Sequence, residues 1–400
     1  MFSRKTDWDL QPSRLSEALA ERRDGSSPIF DLTVSNPTAA GFDLDVSAVA
    51  QALAAGCTLA YQPQANGLLA ARQAVCDYYA EDHGIALDPA HLVLTVSTSE
   101  AYSFLFRLLC DAGDEALACR PSYPLFDYLA DLDDVALRSV EWLQDEDGWH
   151  LDTHALEQAA QAAGERTRAV LLVHPNNPTG HFVSSRDREW LDSFCAERGL
   201  ALIVDEVFLD YPLEGGQLAA ASFLARPARA LTFVLSGVSK ICALPQMKLA
   251  WIAVHGPAAL RDAALARLEV IADTFLSLNT PMQAAAASLL DVRRQIQPQI
   301  LARLRGNLQI LDDTLAGQTR HGVLTRARVE GGWYATLQIP NLSSSEASAI
   351  DLLRQTGVYV HPGDFFGFHG GSQWILSLLT PVEEFTAGVA LLCDFAKTLR

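Results

Sequence analysis

The sequence lacks the segments that mark membrane and secreted proteins. No uninterrupted apolar run approaches the roughly 18 residues that a membrane-spanning helix needs, so we expect no such helix. The first seven residues have no apolar stretch of the kind that a secretory signal peptide carries, and we expect no such peptide. Internal repeats and low-complexity tracts are absent as well.

Cysteine and basic residues are both scarce. The seven cysteines are scattered without a CxxC pair, and their odd number argues against a disulfide framework, so a reduced, cytoplasmic location is expected. Lysine and arginine total 30 against 48 aspartates and glutamates, a net charge of −18. Such a surface repels phosphate backbones and anionic lipids, which makes nucleic acids and membranes poor partners. We also predict no metal site.

What the sequence does contain is a strong alternation of apolar and amphipathic segments. Its 400 residues, 49% of them apolar, are enough for a large core and for more than one ordinary domain. Short apolar runs alternate with amphipathic stretches such as Ser99–Cys110 and Asp187–Arg198, which predicts an α/β fold with a mostly parallel sheet between helices. The predicted strands are His91–Val96, Glu115–Cys119, Ala169–His174, Ala201–Val207, Leu231–Leu235 and Leu249–Val254.

The pattern changes after residue 280. A long helical pattern covers Pro281–Gly317, with a break expected near Pro298. The last helix is predicted to begin with Thr380 as its N-cap and Pro381 in its first turn. The other predicted elements are the strands Val323–Val329, Trp333–Ile339, Val358–Val360 and Trp374–Leu378 and the helix Glu346–Gln355.

These segments predict two domains. Residues 46–280 would form a large domain around the parallel sheet. Residues 281–400 would form a smaller α+β domain, and we expect residues 1–45 to pack with it.

One lysine stands at an unusual place in the pattern. Lys240 follows an apolar strand at a bend rich in serine and glycine, in residues 236–240, SGVSK. A lysine in such a place costs free energy unless its amine is neutral or covalently used. Taken alone, the segment is more simply read as a solvated loop, so its interpretation depends on the rest of the chain.

An acidic residue ends another predicted strand. Asp205 lies at the carboxyl end of a buried strand, which is the end that faces the ligand crevice in open α/β sheets. A buried carboxylate needs a cationic partner, and the protonated pyridine nitrogen of a cofactor is such a partner. A helix cap or a structural ion pair is the alternative.

Two loops that follow strands carry further polar groups. Residues 174–180, HPNNPTG, predict a tight, rigid turn, and an asparagine held there can donate a hydrogen bond to a ligand oxygen. Residues 97–100, STSE, lie between a strand and a helix, where backbone N–H groups and hydroxyls form an anion site. Simple N-capping by Ser97 or Ser99 is the alternative for the second loop.

Taken in order, these segments resemble the class I and II aminotransferases of fold type I, the family of the aspartate and alanine aminotransferases. The resemblance runs from residues 35–37, SNP, to the last helix. Its most specific motifs are the NNPTG run at 176–180 and the Ser-Lys pair at 239–240 followed by Leu244-Pro245. It implies the fold of the pyridoxal-5′-phosphate (PLP) dependent transferases, a large sheet domain and a smaller α+β domain.

The resemblance also implies roles for individual residues. Lys240 resembles the lysine that binds PLP as a Schiff base and moves the proton between the α-carbon and the cofactor. Asp205 resembles the partner of the pyridine nitrogen, and Asn177 resembles the donor to the phenolic oxygen and a substrate contact. Tyr123 resembles the residue that stacks on the ring, and Tyr61 resembles the one that reaches the phosphate of a neighbouring subunit. The remaining cofactor contacts are Thr98 and Ser99 in the phosphate loop, Ser239 and Lys248. The other substrate contacts are Ser35 and Asn36.

The expected activity is the transfer of an amino group between an amino acid or amine and a 2-oxo acid. The family shares its active sites between two chains, so the resemblance implies a homodimer. A lyase, decarboxylase or oxidase on the same scaffold is the first alternative. A non-catalytic protein that binds PLP is a remote second one, since Lys240, Asp205, Asn177 and Tyr123 are all retained.

Two departures concern the cofactor. Lys248 stands where the family usually has a phosphate-binding arginine. The lysine keeps the positive charge of the arginine but lacks its two-pronged hydrogen-bond geometry. Phe208 stands where the family often has a tyrosine that donates to the phenolic oxygen. Asn177 would then be the main donor, unless Tyr211 reaches the cofactor.

The third departure concerns the substrate. The family usually grips the α-carboxylate with an arginine on the strand before the last helix, and aligning the motifs puts Leu376 there. No arginine or lysine occurs between Gly357 and Glu384. Either Arg326 or Arg328 reaches the substrate, or the carboxylate is held by backbone N–H groups and Asn177, or the substrate has no free α-carboxylate. We expect weak, narrow activity towards common amino acids, especially the dicarboxylic ones.

Overall fold

The strands of the chain are short and regularly spaced. The computed structural model of the protein describes residues 1–25, 27–57, 61–146, 148–215, 221–317, 324–339, 344–370 and 373–399. The strands in these residues are β1 Phe30–Asp31, β2 Leu92–Thr95, β3 Glu115–Arg120, β4 Ala136–Asp145, β5 Gly148–Leu151, β6 Thr167–Val173, β7 Ala201–Asp205, β8 Thr232–Gly237, β9 Ala250–His255, β10 Thr325–Arg326, β11 Tyr334–Gln338, β12 Val358–Tyr359, β13 His361–Pro362 and β14 Gln373–Ser377.

Helices alternate with these strands along the chain. No described helix combines the length and the hydrophobicity that crossing a membrane requires. The α-helices are α1 Arg14–Asp24, α2 Val46–Ala55, α3 Leu69–His83, α4 Thr98–Leu109, α5 Phe126–Leu132, α6 Thr153–Ala163, α7 Ser185–Arg198, α8 Val238–Ile241, α9 Ala258–Phe275, α10 Thr280–Ala284, α11 Ala286–Asp291, α12 Arg293–Ala316, α13 Ser345–Thr356 and α14 Val382–Ala396.

The central element is an eight-stranded sheet in the order β2-β9-β8-β7-β6-β3-β4-β5. The strands from β8 to β4 are parallel to one another, which confirms the predicted α/β fold with a mostly parallel sheet. The six strands predicted in the middle of the chain are all present, as β2, β3 and β6 to β9. The sequence did not predict that β9 runs antiparallel to both of its neighbours.

This sheet is covered on both faces, as the continuous apolar runs require. Successive residues of a strand point to opposite faces, and along β7 they alternate between two separate clusters. Leu202 and Val204 belong to one apolar cluster, whereas Ala201 and Ile203 belong to the other.

A four-stranded sheet in the order β10-β11-β14-β13 forms a second layer with α12, α13 and α14. Its core also contains N-terminal residues, among them Leu15, Ala18 and Leu32. β1 pairs in parallel with β12, so the N-terminal segment joins the C-terminal part of the chain.

Two local predictions in the C-terminal part were wrong. α12 continues through Pro298, and the helical stretch is interrupted instead at Ala285 and Val292. Proline removes only one helical hydrogen bond, and the fully buried Ile296 and Ile300 hold this part of α12 against the core. Only Thr325–Arg326 of the predicted strand Val323–Val329 pairs as a strand, and Val323 lies outside the described residues.

The predicted cap of the last helix is wrong as well. The residue that precedes α14 is Pro381, which supplies no side-chain cap. Thr380 is buried, and its hydroxyl donates to the backbone oxygen of Asp31 at 3.3 Å, so it is not available to cap the helix.

A buried arginine links α12 to α3, and its removal is expected to destabilise the fold. The Arg293 side chain is 3% exposed, and it donates to Asp82 at 2.5 Å and to Glu81 at 2.7 Å. Arg293→Ala should lower the free energy of unfolding by about 3–5 kcal/mol, because both carboxylates lose their buried partner. The neighbouring Arg294 also contacts Glu81 but is 57% exposed, so Arg294→Ala should cost less than about 1 kcal/mol. Chemical denaturation of the two variants measures the difference, and equal losses would contradict it.

Candidate active site

The predicted site residues meet at the carboxyl edge of the eight-stranded sheet. Asp205 at the end of β7 is paired in register with Val173 of β6 and with Leu235 of β8. The loop that contains Asn177 follows β6, and Lys240 follows β8. The three residues therefore leave adjacent strands side by side, as expected for a ligand crevice.

Lys240 lies in the short helix α8, directly after the end of β8. Gly237 is the last residue of β8, and a larger residue would not fit there, because a Cβ would lie 2.9 Å from the Leu249 backbone oxygen. The Lys240 Nζ lies 4.9 Å from the ring centre of Trp333 and 5.6 Å from that of Phe208. Removal from water lowers the pKa of this amine to about 8, although the Asp205 carboxylate opposes the shift.

Asp205 is buried, and its carboxylate is held from two sides. Its Oδ1 accepts from the backbone N–H of Val207 at 3.1 Å, and its Oδ2 accepts from the Tyr102 hydroxyl at 3.1 Å. Burial raises the pKa of Asp205 to about 6, and these two donors together with the Lys240 charge limit the rise. A cationic group beside this carboxylate would favour its ionised form further.

The loop after β6 is rigid, and one of its side chains has no partner. Asn176 donates to the Pro121 oxygen at 3.0 Å and to the Thr179 hydroxyl at 2.7 Å, which ties the loop to the end of β3. Asn177 is 8% exposed, and its Oδ1 is buried without a hydrogen-bond partner among the described residues. A buried unpaired amide is unfavourable unless a ligand satisfies it.

Tyr123 follows β3 on the other side of this loop. Its ring packs edge-on against Phe126, with ring centres 5.5 Å apart, and the side chain is half-buried. Burial and the nearby Asp205 charge both raise the pKa of its hydroxyl, so Tyr123 stays neutral. The structure therefore brings Tyr123 into the electrostatic neighbourhood of Asp205.

The loop after β2 begins the helix α4. Ser97 is its N-cap, since its hydroxyl accepts from the Glu100 N–H at 3.1 Å. The capping alternative is thus correct for Ser97. Thr98 and Ser99 form the first turn of the helix, where backbone N–H groups have no partner within the helix and favour an anion.

Lys248 and Ser239 are both predicted to contact the cofactor. Lys248 lies just before β9, and Ser239 lies in α8. Lys248 is exposed, two residues before β9, and adopts a left-handed backbone conformation with φ of 55°. The Val238 N–H donates to the Leu249 oxygen at 3.0 Å, which holds this entry beside α8, the helix that contains Ser239 and Lys240.

Tyr61 is not brought to the other site residues of its own chain. It is 76% exposed, and the cavity beside it is lined by residues such as Leu276 and Asn279 rather than by the carboxyl edge of the sheet. Its contact with a neighbouring subunit stays a prediction.

The two predicted substrate contacts near the N-terminus differ in their surroundings. The Ser35 side chain lies beside the hydroxyl of Tyr334, a side chain of the four-stranded sheet, and limits the rise that burial causes in the pKa of that hydroxyl. Asn36 is exposed, and its Oδ1 accepts from the N–H of Thr38 at 3.1 Å and from its hydroxyl at 2.7 Å. Asn36 therefore caps its own turn.

Tyr211 does not replace the hydroxyl that Phe208 lacks. The Tyr211 hydroxyl is buried and donates to the backbone oxygen of Lys240 at 2.5 Å. The phenylalanine ring instead packs against Trp333, with ring centres 5.3 Å apart.

The structure places Leu376 in a core rather than beside Lys240. Leu376 is fully buried in the core of the four-stranded sheet, opposite Ala335 of β11. Side chains of a strand alternate between its faces, and the next residue, Ile375, lies on the other face with Phe366 and Phe368.

The two candidate arginines are engaged elsewhere. Arg326 donates to Glu214 at 2.6 Å and to Asp312 at 2.5 Å, each with two hydrogen bonds. Arg328 donates to the Glu214 backbone oxygen at 3.0 Å and lies near Glu330. Both therefore take part in structural ion pairs.

Sequence reasoning missed two residues of the site. Tyr102 lies one helical turn after Thr98 on α4, a spacing that could have indicated its place beside Asp205. Trp333 follows the glycine pair 331–332, and only the packing of the four-stranded sheet against the site brings it near Lys240.

The residues present fit PLP. A lysine amine with a depressed pKa and a buried acid lie at the ends of adjacent strands, as an aldehyde and a pyridine nitrogen would require. Ser236 Oγ and the Asn177 Oδ1 are buried polar atoms without partners among the described residues. A polar ligand at this edge would satisfy them.

Comparisons with known proteins agree with this geometry. The family model for aminotransferases of class I and II matches residues 27–375. A glutamate-pyruvate aminotransferase of Haemophilus influenzae is 25% identical over 399 residues, covering 98% of this chain and 96% of its own. A valine-pyruvate aminotransferase of Mycobacterium tuberculosis is 27% identical over 377 residues, covering 92% of each chain.

Solved structures show the same fold. A mutant aspartate aminotransferase of Thermus thermophilus superimposes with a TM-score of 0.83 at 22% identity and covers 99% of both chains. The match to the family model spans most of the sequence, and the expected resemblance is confirmed. This chain belongs to the aminotransferases of class I and II, enzymes that transfer an amino group from an amino acid or amine to a 2-oxo acid.

Proposed function

We propose that this aminotransferase works with PLP bound covalently to Lys240, in a cytoplasmic homodimer. The observation that carries the proposal is the pairing of Lys240 and Asp205 at the ends of β8 and β7. The family itself implies the cofactor. When bound, PLP supplies an electron sink for the carbon that bears the amino group.

Each residue of the carboxyl edge then has a task. Lys240 would hold the cofactor and, when free, could carry the proton of the substrate carbon, because a pKa of about 8 leaves much of its amine neutral at that pH. Asp205 keeps the pyridine nitrogen protonated, and Tyr102 holds that carboxylate in place. Asn177 would donate to the phenolic oxygen, and Tyr123 would pack against the ring.

The phosphate would be held from several elements. The free N–H groups at the start of α4, with the hydroxyls of Thr98 and Ser99, favour an anion there. Ser239 and Lys248 flank this site from α8 and from the entry to β9. Tyr61 would be supplied by a second copy of the chain, which fits its 76% exposure and its distance from its own site.

The substrate would enter between the two sheet layers, with Ser35, Asn36 and Asn177 as contacts. We further propose that residues 46–280 form the cofactor-binding domain. Residues 1–45 and 281–400 would form the domain that closes over it, since β1 pairs with β12 and the N-terminal residues share the core of the four-stranded sheet.

Lys240 is testable by chemical labelling. The chain has four lysines, Lys5, Lys240, Lys248 and Lys397, so borohydride reduction of the holoenzyme should fix the cofactor to one peptide only. Lys240→Ala should lower turnover by several orders of magnitude, because nucleophile and proton carrier are lost together. Lys397→Ala, at the end of α14, is the matched control and should keep its activity. Cofactor on another lysine would refute the assignment.

The pKa of Lys240 predicts how capture of the cofactor depends on pH. The rate at which the apoenzyme binds PLP covalently should rise with pH around a midpoint of about 8, because only the neutral amine is a nucleophile. The Asp205 charge raises the pKa of Lys240, so Asp205→Asn should move this midpoint to lower pH. Stopped-flow absorbance at a series of pH values measures both. A midpoint that moves upward in the variant would contradict the pairing.

Lys248 is expected to act on cofactor affinity. Lys248→Ala should weaken PLP binding by about tenfold or more, since a charge-assisted contact to phosphate contributes about 1.5–3 kcal/mol. Lys248→Arg keeps the charge and should bind PLP nearly as tightly as the parent enzyme. Equilibrium dialysis of the two variants distinguishes them. Unchanged affinity in the alanine variant would show that the Thr98–Ser99 turn and Tyr61 hold the phosphate without Lys248.

A further inference from the structure

The helix that carries Lys240 is held at its end by side chains from outside it. α8 is only four residues long, and a helix of that length has little stability of its own. The backbone oxygens of its last turn lack partners within the helix. The Lys240 oxygen accepts from the Tyr211 hydroxyl at 2.5 Å, and the Ile241 oxygen accepts from the Gln297 Nε2 at 3.1 Å. These two donors therefore fix where α8 ends.

Gln297 reaches α8 from another helix, α12. The Nε2 atom of a glutamine carries two hydrogens. One of them goes to the Ile241 oxygen, and the other goes to Asp210 Oδ2 at 2.6 Å. Both partners are acceptors, so only the NH2 side of the amide can face them. Gln297 is therefore a link of fixed orientation between α12 and α8.

Asp210 holds this amide in place. It lies in the turn after β7, directly before Tyr211, and its side chain is 5% exposed. Its Oδ1 accepts from the Tyr78 hydroxyl at 2.9 Å, and the His83 Nε2 lies 3.0 Å from the same oxygen. Hydrogen bonds to a buried carboxylate are stronger than those between neutral groups. Partners on α3 thus fix the carboxylate that orients the Gln297 amide.

α12 is itself attached to both layers of the protein. Arg293 in its first turn is paired with Asp82 of α3. Ile300 and Leu304, further along the same helix, belong to the core of the four-stranded sheet. Gln297 lies between these two attachments. The end of α8 is therefore tied to a part of α12 that both layers hold in place.

We propose that Gln297 and Asp210 are positioning residues for the reaction, which act on Lys240 through the backbone of α8. The inference rests on the proposed function. Lys240 must present its amine to the cofactor and then carry a proton, and a misplacement of about 1 Å can cost about a hundredfold in rate. Asp210 orients the amide of Gln297, Gln297 fixes the end of α8, and the place of the Lys240 amine follows from both.

Hydrogen exchange in the apoenzyme tests the link without the cofactor. Gln297→Met keeps the length of the side chain and removes both donors. Exchange of the backbone amides in residues 238–244, followed by mass spectrometry, should become about threefold faster or more, because α8 loses an outside hydrogen bond. Gln299→Met is the matched control, since Gln299 is half-buried on the same helix but donates to the Asp43 oxygen at 2.9 Å. It should leave this exchange unchanged. Unchanged exchange in a folded Gln297→Met protein would overturn the inference.

The half-reaction of the holoenzyme gives the catalytic readout. Loss of the visible band of the cofactor is followed with alanine, leucine and phenylalanine. In Gln297→Met the limiting rate constant should fall by about tenfold or more. The apparent Kd of the amino acid, and the amount of cofactor that borohydride fixes to Lys240, should stay as in the parent enzyme. An α-deuterated donor should slow the variant at least as much as the parent, because the proton step is the one affected. A parent-like rate constant, or an isotope effect that disappears, would refute the positioning role.

Asp210→Asn tests whether Asp210 acts through Gln297. Asparagine keeps the size of the side chain and weakens its hold on the amide, so the limiting rate constant should fall here too. The double variant Asp210→Asn, Gln297→Met should be no slower than the slower of the two single variants, because both act on one contact. Losses that multiply in the double variant would contradict this order.

A shorter amide replaces the methionine variant if that protein does not fold. Gln297→Asn is one methylene shorter beside a cavity of about 420 Å3, and it should show the same faster exchange and slower half-reaction. Parent-like values in this variant would count against the inference in the same way. If the parent enzyme converts the cofactor with none of the three donors, the proposed function fails, and the exchange of residues 238–244 still decides whether Gln297 fixes α8.

Discussion

The electrostatic pairing of Lys240 with Asp205 is the constraint on which the site depends. Two oppositely charged groups at the ends of adjacent strands, largely removed from water, would each be unfavourable alone. Removal from water pushes the pKa of the lysine down to about 8 and that of the aspartate up to about 6, and each charge limits the shift of the other. Both pKa values are shifted in this way before any ligand binds. A cofactor with an aldehyde and a basic ring nitrogen uses both groups at once.

The order of the strands makes that pairing possible. β6, β7 and β8 are neighbours in space, so Asn177, Asp205 and Lys240 emerge next to one another. β9 runs in the opposite direction, so its first residues rather than its last lie at this edge. Lys248 therefore lies between Lys240 of α8 and the anion-binding start of α4. The reversed direction of β9 thus determines where Lys248, the predicted phosphate contact, lies.

The four-stranded sheet completes the site from the other side. It contributes Trp333 beside the Lys240 amine. The arginines of this region, Arg326 and Arg328, are used in structural ion pairs.

The sequence by itself determined the α/β class and the middle strands, and it predicted Lys240, Asp205 and Asn177 as site residues. These depend on local information, namely apolar runs, turn residues and motifs whose members are close in the chain. The tertiary structure alone decided the direction of β9, the place of Tyr102 beside Asp205 and of Trp333 beside Lys240, and the burial of Leu376 in the core of the four-stranded sheet. Each of these depends on strand pairing or packing between residues far apart in the chain, and a shift of one residue in a strand reverses which side chain meets the site.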